Sequence, residues 1–177
     1  MQNGTVESIY IASTAQGTPE SVGWATAIPG AGLEGDRYTL KLGTFYKPKP
    51  DRELTLIEAE AIEALRRDYQ VEMAAGDARR NIVTRNVPPS RLVGKELVIG
   101  VVRIRGIRLC EPCDHLEKVT GKPVIKGLLH CGLRFLRQAR SASGMEFGSR
   151  RDAACRVFAV DGRPLKGRLI SKNLRYR

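Results

Sequence analysis

The spacing of apolar positions changes several times along the chain, and each change marks an element. Residues 5–13, TVESIYIAS, alternate closely enough to predict a strand. From Glu58 to Tyr69 the period lengthens. Ile62, Leu65 and Tyr69 recur at helical spacing opposite a face of Glu, Arg and Asp, which predicts an amphipathic surface helix. Thr55 followed by Glu58 fits a capping box at its start. A turn at Gly76 and Asp77 leads into ARRNIVTRN, where Ile82 and Val83 predict a short strand. VPPSRLVGK is expected to be a loop, because Pro88 and Pro89 can continue neither a helix nor a ladder. ELVIGVVRIRGIRL predicts two strands pivoting near Gly100, with Val102 and Ile104 alternating with Arg103 and Arg105 and a bulge at Gly106. Many short strands with Gly and Pro turns predict a mainly β fold, a β-barrel with a few short helices (α+β).

Composition narrows the class. A chain of 177 residues is one domain's worth and can bury a core. It has no run of 18 apolar residues, and MQNGTVESIY lacks a basic-then-apolar signal, so a soluble cytoplasmic protein with no membrane partner is expected. The formal charge of +11 suggests nucleic acid until its distribution is considered. Residues 134–177 hold 12 Lys and Arg against 3 Asp and Glu, leaving 18 against 16 before them. The body is nearly neutral, and any nucleic-acid contact would fall to the basic tail.

Chemistry concentrates in RLCEPCDHLEKVTG, residues 108–121. Cys110 ends a predicted strand. Pro112 suits the first position of a helix, with Cys113 in its first turn and Gly121 at its end. A thiol there faces unpaired N–H groups that favour thiolate. Three other readings of the pair stand beside a nucleophilic or metal-ligating Cys113. The cysteines could be buried and structural, could hold zinc with His115, His130 or Cys131, or could form a thioredoxin-like redox pair. Upstream, Gly30, Gly32 and Gly35 lead into Asp36 and Arg37, a tight loop in which backbone approaches something closely. Asp36 and Arg37 could also be a loop ion pair, Arg79 and Arg80 solvated strand residues, and Asn81 a turn amide. By the same reasoning His115 could be an exposed helix residue and His130 a helix-end cap.

GLEGDRY (32–38), RRNIV (79–83), LVGKELVIGVVRIRGIRLCEPCDHLEKVTG (92–121) and GLLHCGLR (127–134) occur in that order. Together they resemble the MOSC domain, named after the C-terminal part of molybdenum-cofactor sulfurases. The resemblance covers residues 1–134, leaving 135–177 as a basic tail. It implies a β-barrel and a cleft for molybdenum cofactor (molybdopterin). It also implies a cysteine, Cys113, that ligates molybdenum or carries sulfur. Asp36 and Arg37 match the family's GDR loop, Arg79 and Asn81 its Arg/Asn strand, and Cys110 a cysteine of some members. The implied activity is an oxidoreductase acting on N-hydroxylated compounds or a cysteine-persulfide sulfur carrier. Its partners would be a small-molecule substrate, a sulfur donor or acceptor protein, or an electron-donor protein. A soft thiolate suits either role, and Arg and Asn suit the cofactor's phosphate and pterin amides. No lysine context argues for pyridoxal phosphate. Two alternatives remain: a non-catalytic module stapled by zinc with a basic nucleic-acid-binding tail, and a degenerate inactive domain.

After GLLHCGLR the family's acidic, alternating closing strand is missing. Only CRVFAV reads as a strand. A shifted reading frame or a fused junction would explain this and would leave the barrel without its last strand and with an open edge. A genuine basic extension is the other explanation.

Overall fold

In the computed structural model, residues 2–48, 50–99, 102–137, 155–158 and 174–176 are described. The strands are β1 (Gln2–Ile11), β2 (Glu20–Val22), β3 (Trp24–Ile28), β4 (Gly32–Leu33), β5 (Leu54–Glu58), β6 (Ile82–Arg85), β7 (Glu96–Ile99), β8 (Val102–Leu109), β9 (Gly132–Arg137), β10 (Cys155–Phe158) and β11 (Leu174–Tyr176). The helices are α1 (Ala59–Tyr69), α2 (Asp114–Thr120) and α3 (Ile125–Leu128). The fold is therefore mainly β with a few short helices, as the alternation predicted. Among the described residues no helix is long and apolar enough to cross a membrane.

The main sheet runs β11-β7-β8-β9-β5-β6-β1-β2, with β11 also paired to β1. The barrel expected from the sequence is thus a sheet curled on itself. Among the described residues its seam is spanned only by Leu174–Tyr176, which pairs with Val98 and Leu97 on one side and with Gln2 to Gly4 on the other. β10 pairs with β3, so the strand-like CRVF of the tail also joins the sheet structure. The pivot at Gly100 lies outside the described residues. The bulge expected at Gly106 is present, as the β8–β9 register shifts between Gly106 and Arg108.

β5 and β6 are parallel and joined through α1, the crossover that parallel pairing requires. Both are buried on two faces, so they read as apolar runs rather than alternations. Leu54, Leu56 and Ile82 point into the core inside the curl, with Ile9, Leu97, Ile104 and Phe135. Ile57 and Val83 point outward under a helical layer that includes Leu65, Leu116 and Leu128. The predicted capping box fails here. Thr55 lies within β5, and Glu58, in extended backbone, is itself the N-cap of α1 with no side-chain cap. Gly76 and Asp77 lie in a turn, as predicted, of 3-10 form over Ala75–Ala78.

Candidate functional site

Two residues before Ile57 and Val83 reach the helical layer, the same outer face turns polar. Side chains alternate across a strand, so Thr55 shares the face of Ile57, and Asn81 shares that of Val83. β5 pairs Thr55 with Arg134 of β9. The outer face therefore passes from an apolar bed to a polar rim where β1, β5, β6, β8 and β9 begin or end.

The Asp36 loop enters this rim through left-handed glycines. Gly32 has φ 121°, and a Cβ there would collide with the Glu53 carbonyl; Gly35 has φ 78°. Asp36 is 2% exposed. Its carboxylate accepts from Ala12 N (3.4 Å), Tyr38 N (3.0 Å) and Asn81 Nδ2 (3.2 Å), and Arg37 pairs with it at 3.6 Å. Asn81 is equally engaged. Its Oδ1 accepts from the Thr55 amide (3.1 Å) and hydroxyl (2.9 Å), and its backbone N–H donates to Thr55 Oγ1 at 3.1 Å. Arg37 donates to the Arg79 carbonyl at 3.3 Å, and its guanidinium lies 5.3 Å from the Tyr38 ring centre. Arg79, at φ 54°, donates to Gly17 O (3.0 Å) and Ala15 O (2.8 Å). Burial, and then the charge of Arg37, lower the pKa of its guanidinium.

Across the rim, Cys110 follows β8 and is 3% exposed, with its N–H donating to Gly132 O at 2.8 Å. A Cβ at Gly132 would stand 2.6 Å from the Cys110 carbonyl, so glycine is what lets the two chains approach. Arg80 donates to that same carbonyl at 3.0 Å. Cys113 differs from expectation by two positions, because the helix begins at Asp114 and not at Pro112: it is the N-cap of α2, extended at φ −146°, and Pro112 precedes the cap. Its carbonyl accepts from Leu116 N at 2.8 Å, while its side chain caps nothing and is exposed. Gly121 ends the helix in the left-handed conformation, as its position predicted.

The two walls enclose one cleft of about 90 Å³. Of the residues singled out in the sequence, Arg37, Arg79, Asn81, Cys110 and Cys113 line it, and Asp36 lies behind it. Arg52, Arg80 and Arg134 line it too, and no sequence pattern gathers them into one site. Arg80 is visible in the sequence only as half of an Arg-Arg pair. Arg134 reaches the cleft through pairing with Thr55, 79 positions away, which no local pattern reveals. His115 faces the cleft with its ring edge-to-face on Phe45, centroids 5.3 Å apart and planes at 87°.

The residues expected for a zinc site do not come together among the described residues. Among the described residues no three His, Cys, Asp or Glu side chains are placed to hold a metal. His130, left-handed at φ 63° just past the C-cap of α3, has its ring paired with Glu111 at 2.8 Å. The Cys131 thiol is pushed up to about 11 by burial and by Glu58 and Glu111, which keeps it protonated at neutral pH.

Comparison with known proteins gives a consistent result. The family model of the MOSC domain matches residues 41–159. Among solved structures, the chain is similar to the YUAD protein from Bacillus subtilis (TM-score 0.66, 13% identity, covering 89% of this chain and 92% of that one). It is also similar to YiiM from Geobacillus stearothermophilus (0.57, 13%, 76% and 67%) and YiiM from Escherichia coli (0.52, 16%, 81% and 73%). At these identities the likeness concerns the fold. No protein of curated function matches the sequence.

Proposed function

The chain belongs to the MOSC domain family, and from that premise we propose that its cleft holds molybdenum cofactor, with Cys113 as the cysteine that meets the metal. MOSC domains are in general associated with this cofactor. The observation that carries the reading is an exposed cysteine, engaged in no helix cap, at the edge of a cleft lined by five arginines.

The donor set fits the group. A phosphate-bearing pterin needs cationic, forked donors, and guanidinium supplies them in planar geometry. Arg79, Arg80 and Arg134 form no ion pair among the described residues, so the cleft carries positive charge that a phosphate would neutralise. Asn81 and Asp36 hold the wall in place: the Asn81 amide donates to Tyr10 O and to Asp36, and the Asp36 carboxylate is an acceptor already engaged, which makes them positioning residues. The enclosed volume of about 90 Å³ admits a head group, while the rest of a cofactor would lie toward the open mouth. When bound, the metal would supply two-electron redox chemistry, here the reduction of an N-hydroxylated small molecule. A second reading, in which the Cys113 sulfur carries sulfane sulfur as a persulfide, is favoured by that side chain's exposure.

The test is the metal and pterin content of protein made in a cofactor-producing host, alongside Cys113→Ser. The cofactor reading expects molybdenum near one equivalent in the parent and loss of most of it in the variant. Pterin without molybdenum dependence on Cys113 would reject the ligand role. Persulfide labelling of Cys113 with no molybdenum in either protein would favour the sulfur carrier.

A further inference from the structure

Between the end of β8 and the start of α2 the backbone has little to hold it. Cys110 is tied at its N–H, which donates to Gly132 O at 2.8 Å, and at its carbonyl, which accepts from Arg80 at 3.0 Å. At the far end the Cys113 carbonyl accepts from Leu116 N at 2.8 Å. Among the described residues neither Glu111 nor Pro112 makes a backbone hydrogen bond, and proline has no N–H to give. One side chain holds the span instead. The Glu111 carboxylate accepts from the His130 backbone N–H at 2.9 Å through Oε2 and meets the ring Nδ1 at 2.8 Å through Oε1. An ionised carboxylate only accepts, so the proton between them sits on Nδ1. His130 is left-handed at φ 63°, and in that conformation its N–H and its ring reach the same carboxylate. The turn that carries it is itself anchored, as Cys131 N donates to Leu128 O at 3.3 Å and Gly132 pairs with Ile57 in the sheet.

We propose that Glu111 and His130 are positioning residues: they clasp the Cys110–Cys113 segment to the turn before β9 and so set where the Cys113 sulfur stands in the cleft. Glu111 and Cys113 both line that cleft. Two bonds to the two oxygens of one carboxylate fix its direction as well as its distance. Only Pro112 separates Glu111 from Cys113, and its ring locks φ, so a shift of Glu111 passes on to the cysteine. The side chains of Glu111 and His130 are 39% and 69% exposed, and a pair so open to water contributes little to overall stability. Its effect is local, because nothing else described holds these two residues. The value of this placement for function rests on the reading of Cys113 as the reacting cysteine; the placement itself does not.

The experiment compares full chains of the parent, Glu111→Gln, Glu111→Ala, His130→Gly and the double variant Glu111→Ala/His130→Gly. Each is treated in parallel with a dianionic aromatic disulfide, dithiobis-nitrobenzoate, and with neutral methyl methanethiosulfonate, and the rate at Cys113 is read by peptide mass fragmentation. The ratio of the two rates cancels the thiolate fraction and reports how near the sulfur stands to the cleft arginines. Both Glu111 variants remove the same charge, but the glutamine amide oxygen still accepts from the His130 N–H and alanine does not. The ratio should be roughly threefold lower in Glu111→Ala than in Glu111→Gln, the size of a partly screened charge interaction. Glycine suits φ 63°, so His130→Gly removes the ring and keeps the N–H; its ratio should fall by less. Melting temperatures should stay within about 3 °C of the parent. Equal ratios in Glu111→Ala and Glu111→Gln would overturn the clasp and leave only a charge effect. So would a further fall in the double variant, since a clasp already broken has no second contribution to lose. A large drop in melting temperature with unchanged ratios would make the pair purely structural. No molybdenum enters this readout, so its failure rejects the clasp alone, and the cofactor reading stands or falls on the metal content of Cys113→Ser.

Discussion

On the Asp36 side of the cleft each polar group has a protein partner. Asp36 collects Ala12, Tyr38, Asn81 and Arg37, and Asn81 in turn engages Thr55 through three hydrogen bonds. On the Cys113 side, Arg80 makes one side-chain hydrogen bond, Arg134 makes none among the described residues, and the cysteine side chain caps nothing. Both walls grow from the same curled sheet and carry similar residue types, so what separates them is saturation. A saturated buried network is rigid and costly to disturb. Unsaturated cations cost stability in the free protein and are compensated when a ligand arrives. The first wall holds the cleft's shape, and the second is where a ligand would bind.

The strongest way to break this comparison is to remove the hub of the first wall. Asp36→Ala leaves the Ala12 and Tyr38 N–H groups, the Asn81 amide and the Arg37 guanidinium without their acceptor in a site that is 2% exposed. Breaking a buried, charged network by removing one partner should cost about 3–5 kcal/mol in chemical denaturation. A loss near that of a surface substitution would mean that the wall is not a coupled network.

Glu58 sharpens the contrast from the other direction, because it is a half-buried carboxyl without Asp36's set of donors. Burial, and then the charge of Glu60, raise its pKa to about 7 from the ordinary 4.5. The sign follows from proton counting. Between those two values the folded protein binds more protons than the unfolded chain, so stability falls as pH rises through that window and the full penalty applies above pH 7. Glu58→Gln should therefore match the parent at pH 4 and exceed it at pH 8 by about 1–2 kcal/mol, a figure reduced for the group's partial solvent screening. Parallel stability–pH curves for the two proteins would show that the carboxyl is as well compensated as Asp36.

Much of the scaffold was legible in the chain because it depends on period. The alternation of β1 and β8, the helical spacing of α1 and the left-handed glycine closing α2 are local, and the structure follows them. The capping-box reading failed because the same Thr55 hydroxyl that would cap a helix is held by Asn81, 26 residues away, inside a parallel pair. The site was legible in part. GDR, RRN and C-x-x-C could be singled out as chemistry, yet nothing local distinguishes Arg79, bound to two carbonyls, from Arg80, left nearly free. That difference, like the arrival of Arg134 opposite Thr55, is set by strand register and loop conformation. The tail shows the same limit, since the three residues of β11 that span the seam carry no alternation long enough to predict a strand.

The smallest expected effect is also the most discriminating, because it sets two chemically identical side chains three residues apart against each other. Cys110 is packed at the end of β8 with 3% exposure, and Cys113 is open to solvent. Cys110→Ser places a hydroxyl where a thiol behaved as a small apolar group. It should cost about 1 kcal/mol, near the lower end for burying a polar group without a designed partner. Cys113→Ser changes an exposed atom that holds nothing, so its stability should stay within about 0.5 kcal/mol of the parent. Thiol titration with a bulky disulfide reagent gives the matching kinetic readout, with Cys113 reacting in the native state and Cys110 only on unfolding. If both serine variants lost stability equally, or both thiols reacted together, the Cys113 wall would be bound into the fold no less firmly than the Asp36 wall. The cysteine would then be a structural residue, and its place at the cleft would carry no chemistry.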